Sequence, residues 1–182
     1  LSAWWRAARA LPAALRSGTA SALLATAAFG AACSSAAPPP VAADAGWVGV
    51  VHSDAPAGLS RGSSALMETQ DGITYGLVEM IEESGRMVWL EKGIGHEPDG
   101  DARWQVLAVL PLPALEAGDI VLFAGAWCTV DGAYDPEIVA VVNEGSGAAY
   151  RVRSAWRARR AEARFEPVGS ESVECFDAGH EG

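Results

Sequence analysis

Three groups of residues in this 182-residue chain have types and spacings that could do chemistry. Gly58-Leu59-Ser60-Arg61-Gly62 matches the Gly-x-Ser-x-Gly pattern, in which a strand delivers a serine nucleophile into a strained turn and a following helix supplies oxyanion donors. Here Ser53 to Ala57, with Pro56, separates the motif from the nearest strand-like run, and no helical run follows it. Of the histidines that could serve as base, His96 lies in a Gly-rich stretch and His180 lies near the C-terminus. Ser60 is therefore a weak catalytic candidate, and a small hydrolase is the alternative reading of the chain.

His96-Glu97-Pro98-Asp99-Gly100-Asp101 places one imidazole and three carboxylates within six residues. Hard cations need several oxygens converging in a defined loop, and the calcium-loop pattern of alternating acids, a glycine and a terminal glutamate is absent. His96, Glu97, Asp99 and Asp101 are weak metal candidates, an exposed acidic turn is the better reading, and no cofactor is expected. A second acidic group, Asp131, Asp135 and Glu137, is explained by turn chemistry at Asp131-Gly132 and by Asp135-Pro136 leading into a strand.

The third group is cationic. Six arginines (151, 153, 157, 159, 160 and 164) fall within 14 positions of an otherwise acidic sequence. On a strand, Arg151, Arg153, Arg157 and Arg159 would alternate with Val152, Ser154, Trp156 and Ala158, making one face cationic and leaving the other to pack. Guanidinium groups fork onto carboxylates or phosphates, so this row is a candidate anionic-ligand face. The competing reading is a solvated face cross-paired with Glu166, Glu171 and Glu174, each pair contributing tenths of a kcal/mol. Trp47, Trp89, Trp104, Trp127 and Trp156 read as packing residues before they read as a carbohydrate platform.

The segment before these groups looks like an address. Arg6, Arg9 and Arg16, with no acidic residue, precede an alanine-rich apolar run of 14 residues from Thr19 to Ala32. That is a charged n-region, a short h-region and a small-residue cleavage site, so residues 1–32 read as a signal peptide, with Trp4 and Trp5 in an extended n-region. The run is too short and too weakly apolar to span a bilayer. Gly30-Ala31-Ala32-Cys33 resembles the lipobox of bacterial lipoproteins, in which the cysteine is lipidated and becomes the first residue of the mature chain. The resemblance implies lipidation at Cys33, and Ser34 after it implies outer-membrane sorting. Gly30 stands where such motifs carry Leu, Val or Ile, which keeps ordinary cleavage and a soluble periplasmic or secreted product as the alternative. Residues 33–45, with three consecutive prolines at Pro38-Pro39-Pro40, read as a flexible tether.

What remains bounds the function. Removing the leader leaves 150 of the 182 residues, one ordinary domain (46–182) behind its tether. The whole chain has 13 basic and 23 acidic residues; three basic and no acidic residues lie before Cys33, so the remainder carries 10 against 23, a net charge of -13. That excess argues against nucleic acid as a partner, since phosphate backbones are held by clustered cations. Of the three cysteines, Cys128 and Cys175 are left as an even pair in a chain bound for an oxidising compartment, and are expected to bond to each other.

The elements that must position these groups read as short strands. Trp47 to His52 is β-branched and bounded by turn residues, whereas Ser53 to Ser64 and Gly93 to Asp101 read as loops. Between them, Leu77–Glu83, Ser84-Gly85-Arg86 and Met87–Lys92 form a hairpin pattern, although Ile73, Leu77, Met80 and Ile81 also fit one short helix. Trp104 to Leu110, stopped by Pro111 and Pro113, and Ile120 to Phe123 read as strands, with Cys128 ending the latter or in the turn after it. Glu137 to Val142 reads as a strand covered on both faces, and Asn143 to Gly147 as a turn. Phe165–Val168 and Val173–Phe176 complete an antiparallel meander. The expected class is mainly β, a single small antiparallel-sheet domain, or α+β should the helix form.

Trp104-Gln105-Val106-Leu107, Pro111-Leu112-Pro113, Cys128, Asp135-Pro136-Glu137-Ile138-Val139-Ala140, Ala155-Trp156-Arg157, Phe165-Glu166-Pro167 and Val173-Glu174-Cys175 resemble, in order, small uncharacterised envelope proteins of proteobacteria. The likeness covers roughly the last 80 residues and implies a class without an activity. Together these readings predict a lipid-anchored envelope protein with a non-catalytic binding or structural role at the periplasmic face, whose partners are the membrane through its anchor and an envelope protein or anionic ligand.

Overall fold

The computed structural model describes residues 46–68, 72–123, 127–143 and 149–176, and is built of antiparallel strands. The expectations for the leader, Cys33, the tether and His180 lie outside the described residues. One sheet holds β1 (Val51–His52), β2 (Ser60–Glu68), β3 (Thr74–Glu82), β4 (Gly85–His96) and β5 (Ala102–Pro111), in the order β1-β5-β4-β3-β2. The other holds β6 (Asp119–Phe123), β7 (Trp127–Val130), β8 (Ala133–Tyr134), β9 (Ile138–Asn143), β10 (Ala149–Arg159), β11 (Arg164–Val168) and β12 (Val173–Phe176). Its order is β6-β9-β10-β12-β7-β8, and β11 pairs β10. Among the described residues there is no α-helix, and one 3-10 turn at Ser170–Ser172 is the only helical element.

The hairpin reading of residues 72–92 holds: Leu77 faces Leu90, Val78 faces Trp89 and Met80 faces Met87 across a turn at Glu83 and Ser84. Its apolar residues divide between two faces, as a period of two demands. Leu77, Val88, Leu90, Ala108 and Leu110 pack against Phe123, Val139, Val141, Trp156 and Ala158 of the other sheet, forming the sandwich core. Val78, Met80, Met87, Trp89, Val106 and Val109 point the other way and are covered by Trp47, Val50 and Leu59. The expected doubly covered strand is β9, with Val139 and Val141 in the sandwich core and Ile138, Ala140 and Val142 in a second cluster around the cysteines.

Four expectations change. Trp47–Gly49 is a turn and only Val51–His52 is strand, because Gly49 takes φ +88° and turns the chain. Ser60–Ser64 is not loop but the start of edge strand β2, whose pairing is dictated by the apolar register of β3 and not by its own small polar residues. Gly93–His96 continues β4, with a register shift between Gly93 and Gly95 that leaves Ile94 as the extra residue, while an earlier shift between Leu90 and Glu91 leaves Leu107 of β5 unmatched. Cys128 sits inside a separate strand, β7, directly opposite Cys175 on β12.

Candidate functional site

The two cysteines form a disulfide across neighbouring strands, with Cα atoms 4.1 Å apart and both side chains buried. It closes the second apolar cluster and ties β7 to the last strand.

The arginine row does not form one cationic face. Val152 pairs with Val142 and Ser154 with Val141, so Arg153 is one residue too many for its partner strand. A bulge of one residue inverts the alternation beyond it. Arg151 therefore shares a face with Asn143, whereas Arg157 shares the opposite face with Ile138. Most of these guanidinium groups already hold carboxylates: Arg153 donates to Asp119 and, at 2.8 Å, to Glu116. Arg157 meets Asp135 at 2.8 Å, Arg160 meets Glu137 at 2.6 Å and Arg159 meets Glu166 at 2.5 Å. Glu166 is thus the one expected partner found, while Glu171 and Glu174 pair with no arginine among the described residues. Arg151 is exposed and has no ion-pair partner among them.

These pairs shift two acids. The Glu116 N–H, donating to Asp119 Oδ2 at 2.8 Å, lowers the Asp119 pKa below its ordinary value; burial opposes this, and Asn143 and Arg153 add to the lowering. The Arg159 hydrogen bond lowers Glu166 against a smaller opposing effect of burial, and the same bond raises Arg159.

Ser60 opens β2 instead of closing a strand, its Oγ lies 3.4 Å from the Ile81 carbonyl, and the chain after it continues as strand. This is not an elbow geometry, for which the serine must leave a strand and enter a helix. Gly62 of the same motif serves packing, since a Cβ there would lie 2.4 Å from Glu79 Oε2. The acidic turn is spent locally: Asp99 Oδ1 accepts from the Asp101 N–H at 3.3 Å, and Glu97 pairs with Arg103 at 3.1 Å. Among the described residues no three metal-ligating side chains converge.

A feature missed in the sequence lies on the outer face of the first sheet. Register places His52 opposite Trp104, Trp104 opposite Gly93, and Glu91 opposite both Gly76 and Val106. His52 Nε2 is 2.8 Å from Glu91 Oε1 and its Nδ1 is 3.1 Å from the Asp54 carbonyl; the two side chains are only 5% and 4% exposed. A carbonyl only accepts, so Nδ1 carries a proton. The ring also meets Trp89 edge-on, 5.5 Å between centroids, and Trp47 stacks tilted on Trp89 at 5.3 Å.

Glu91 uses Oε1 for this pair. Its Oε2 has no hydrogen-bond partner among the described residues and lies 3.8 Å from where a Gly76 side chain would begin. Above it Trp104 lies across two glycines, with Cζ3 3.5 Å from the Gly76 Cβ position and 3.7 Å from that of Gly93. Beside Gly76 is a recess of about 90 Å³, lined by Glu91 and Trp104 together with Arg61, Ser64 and Leu66 of β2. Leu66 is 67% exposed. The signal for it was a carboxylate interrupting an apolar run, Val88-Trp89-Leu90-Glu91, but its partner lies 39 residues away and only the register brings the two together.

A larger hollow of about 190 Å³ separates β5 from the β10–β11 hairpin, lined by Leu107, Leu110, Trp156, Phe165 and Pro167. Its walls are mostly apolar, with Arg164 among them, and the buried Trp156 Nε1 has no hydrogen-bond partner among the described residues. Compared with known proteins, the chain matches no family model, no curated protein and no solved structure.

Proposed function

We propose that the protein is a lipid-anchored module of the cell envelope that works by binding, its β domain held at the periplasmic face of the outer membrane through Cys33 and a proline-containing tether. The observation that supports binding best is the recess beside Gly76, where a side chain only 4% exposed keeps one carboxylate oxygen without a hydrogen-bond partner among the described residues, next to the Trp104 ring. Burying a charged group is costly unless its bonding capacity is used, and a free oxygen in a concave site is a place where a ligand can use it. The leader, the lipobox-like Gly30-Ala31-Ala32-Cys33 and the order of motifs that resembles small envelope proteins support the location. The Cys128–Cys175 bond agrees with it, since disulfides persist in oxidising compartments.

Fractionation of cells producing wild type and Cys33→Ala tests the location. The wild type is expected in the membrane fraction and resistant to salt extraction, because acyl chains and not charges hold it. The variant is expected in the soluble periplasmic fraction or retained with its leader uncut; membrane retention of a variant whose leader has been removed would overturn the anchor.

A further inference from the structure

We infer that the recess over Gly76 binds the ammonium end of a small zwitterion, an amino-acid-like compound whose anionic end meets Arg61. The assignment rests on the reading of this domain as a binding module and names its ligand class. A primary ammonium has three donors and no acceptor, which suits a floor consisting of an unused carboxylate oxygen and an aromatic face. Glu91 supplies the oxygen and is held in place by His52, which spends its second nitrogen on the Asp54 carbonyl. Trp104 supplies the ring, whose Cζ3 lies 3.5 Å and 3.7 Å from the bare Cβ positions of Gly76 and Gly93. At about 90 Å³ the recess admits a head group and not a large ligand, so the rest of the molecule lies over β2. There Arg61 is exposed and lines the rim beside Ser64. A bare cation would be opposed by that guanidinium, whereas a carboxylate a few bonds from the ammonium pairs with it.

The test uses the purified full-length exported protein labelled with 15N, following the Trp104 indole cross-peak, identified by its loss in Trp104→Phe. L-Alanine, ethylamine and propionate are titrated separately. L-Alanine is expected to shift the peak saturably, ethylamine more weakly and propionate not at all, and Arg61→Gln should remove the advantage of L-alanine over ethylamine. Gly76→Ala puts a methyl group between Trp104 and Glu91 Oε2 without strain, since its Cβ meets only ordinary contacts, and should weaken L-alanine binding at least about tenfold in a folded protein. Should that variant fail to fold, Glu91→Gln, which keeps a hydrogen bond to His52 and removes the negative charge, is expected to weaken it similarly. No saturable shift with L-alanine, equal binding of propionate, or undiminished binding by folded Gly76→Ala overturns the assignment. A silent titration alongside Cys33-dependent membrane retention would reject the ligand and leave the envelope location standing.

Discussion

Arg153 on β10 reaches past the end of β9 to the carboxylate of Asp119 on β6, and so joins three strands of the second sheet at one corner. It is the bulged residue that does so, which gives the bulge a structural use: the extra residue re-aims a guanidinium from the row toward the Glu116–Asp119 turn. The same carboxylate accepts from the Glu116 N–H and, through Oδ1, from Asn143.

Because Asp119 and Glu166 have lowered pKa values in the folded chain, their stabilisation is complete above the ordinary carboxylate values of 3.8 and 4.5 and is lost as pH falls through the lower folded values. Urea unfolding of wild type and Asp119→Asn across pH 2 to 7 checks this. The wild type is expected to be more stable at neutral pH, with the difference constant above about pH 5 and shrinking below the ordinary aspartate value. A difference that grows toward low pH would contradict the assignment of the carboxylate as the stabilising form.

Removing one member of the His52–Glu91 pair leaves the other buried without its partner. His52→Ala and Glu91→Ala are each expected to cost about 3 kcal/mol, and the double variant clearly less than the sum. Denaturant titrations of the three variants give the coupling energy, and strict additivity would mean that the two groups do not act as a unit.

Gly62 and Gly76 look alike in the sequence and predict opposite outcomes. A methyl at Gly62 would collide with the Glu79 carboxylate, which is buried and held by Arg86 at 2.9 Å, so Gly62→Ala should lose about 1 to 3 kcal/mol. Gly76→Ala meets its nearest atom at 3.5 Å and should be neutral or stabilising. Thermal melts of the two variants decide it, and equal losses would argue against the described packing of β2 on β3.

The disulfide closes a 47-residue separation, which by loop entropy restrains the unfolded chain by about 4 kcal/mol. The double variant Cys128→Ala/Cys175→Ala is expected to fall in stability by a large part of that amount, measured by urea unfolding without reductant. A loss below about 0.5 kcal/mol would show that β7 and β12 are held by their ladder and apolar cluster alone.

What could be read from the residues follows from where burial is two-sided. Ile138-Val139-Ala140-Val141-Val142 is apolar at every position because β9 lies between two cores, and the β3–β4 hairpin reveals itself because its residues split between two covered faces. The cysteine pair needed only counting. The second sheet, its order and the Arg153 bulge were hidden, since a strict period of two assumes an unbroken ladder and nothing local to Arg153 marks the extra residue. Likewise β2 is an edge strand of small polar residues that takes its conformation from β3, and the His52–Glu91 pair depends on the β1-β5-β4 order, which no short window contains.

Intact mass of the protein extracted from the membrane fraction tests the account most directly. The expected product begins at Cys33, carries added acyl mass, and is lighter by two hydrogens than its fully reduced form. A product with residues 1–32 still attached, no added lipid and all three thiols free would contradict it.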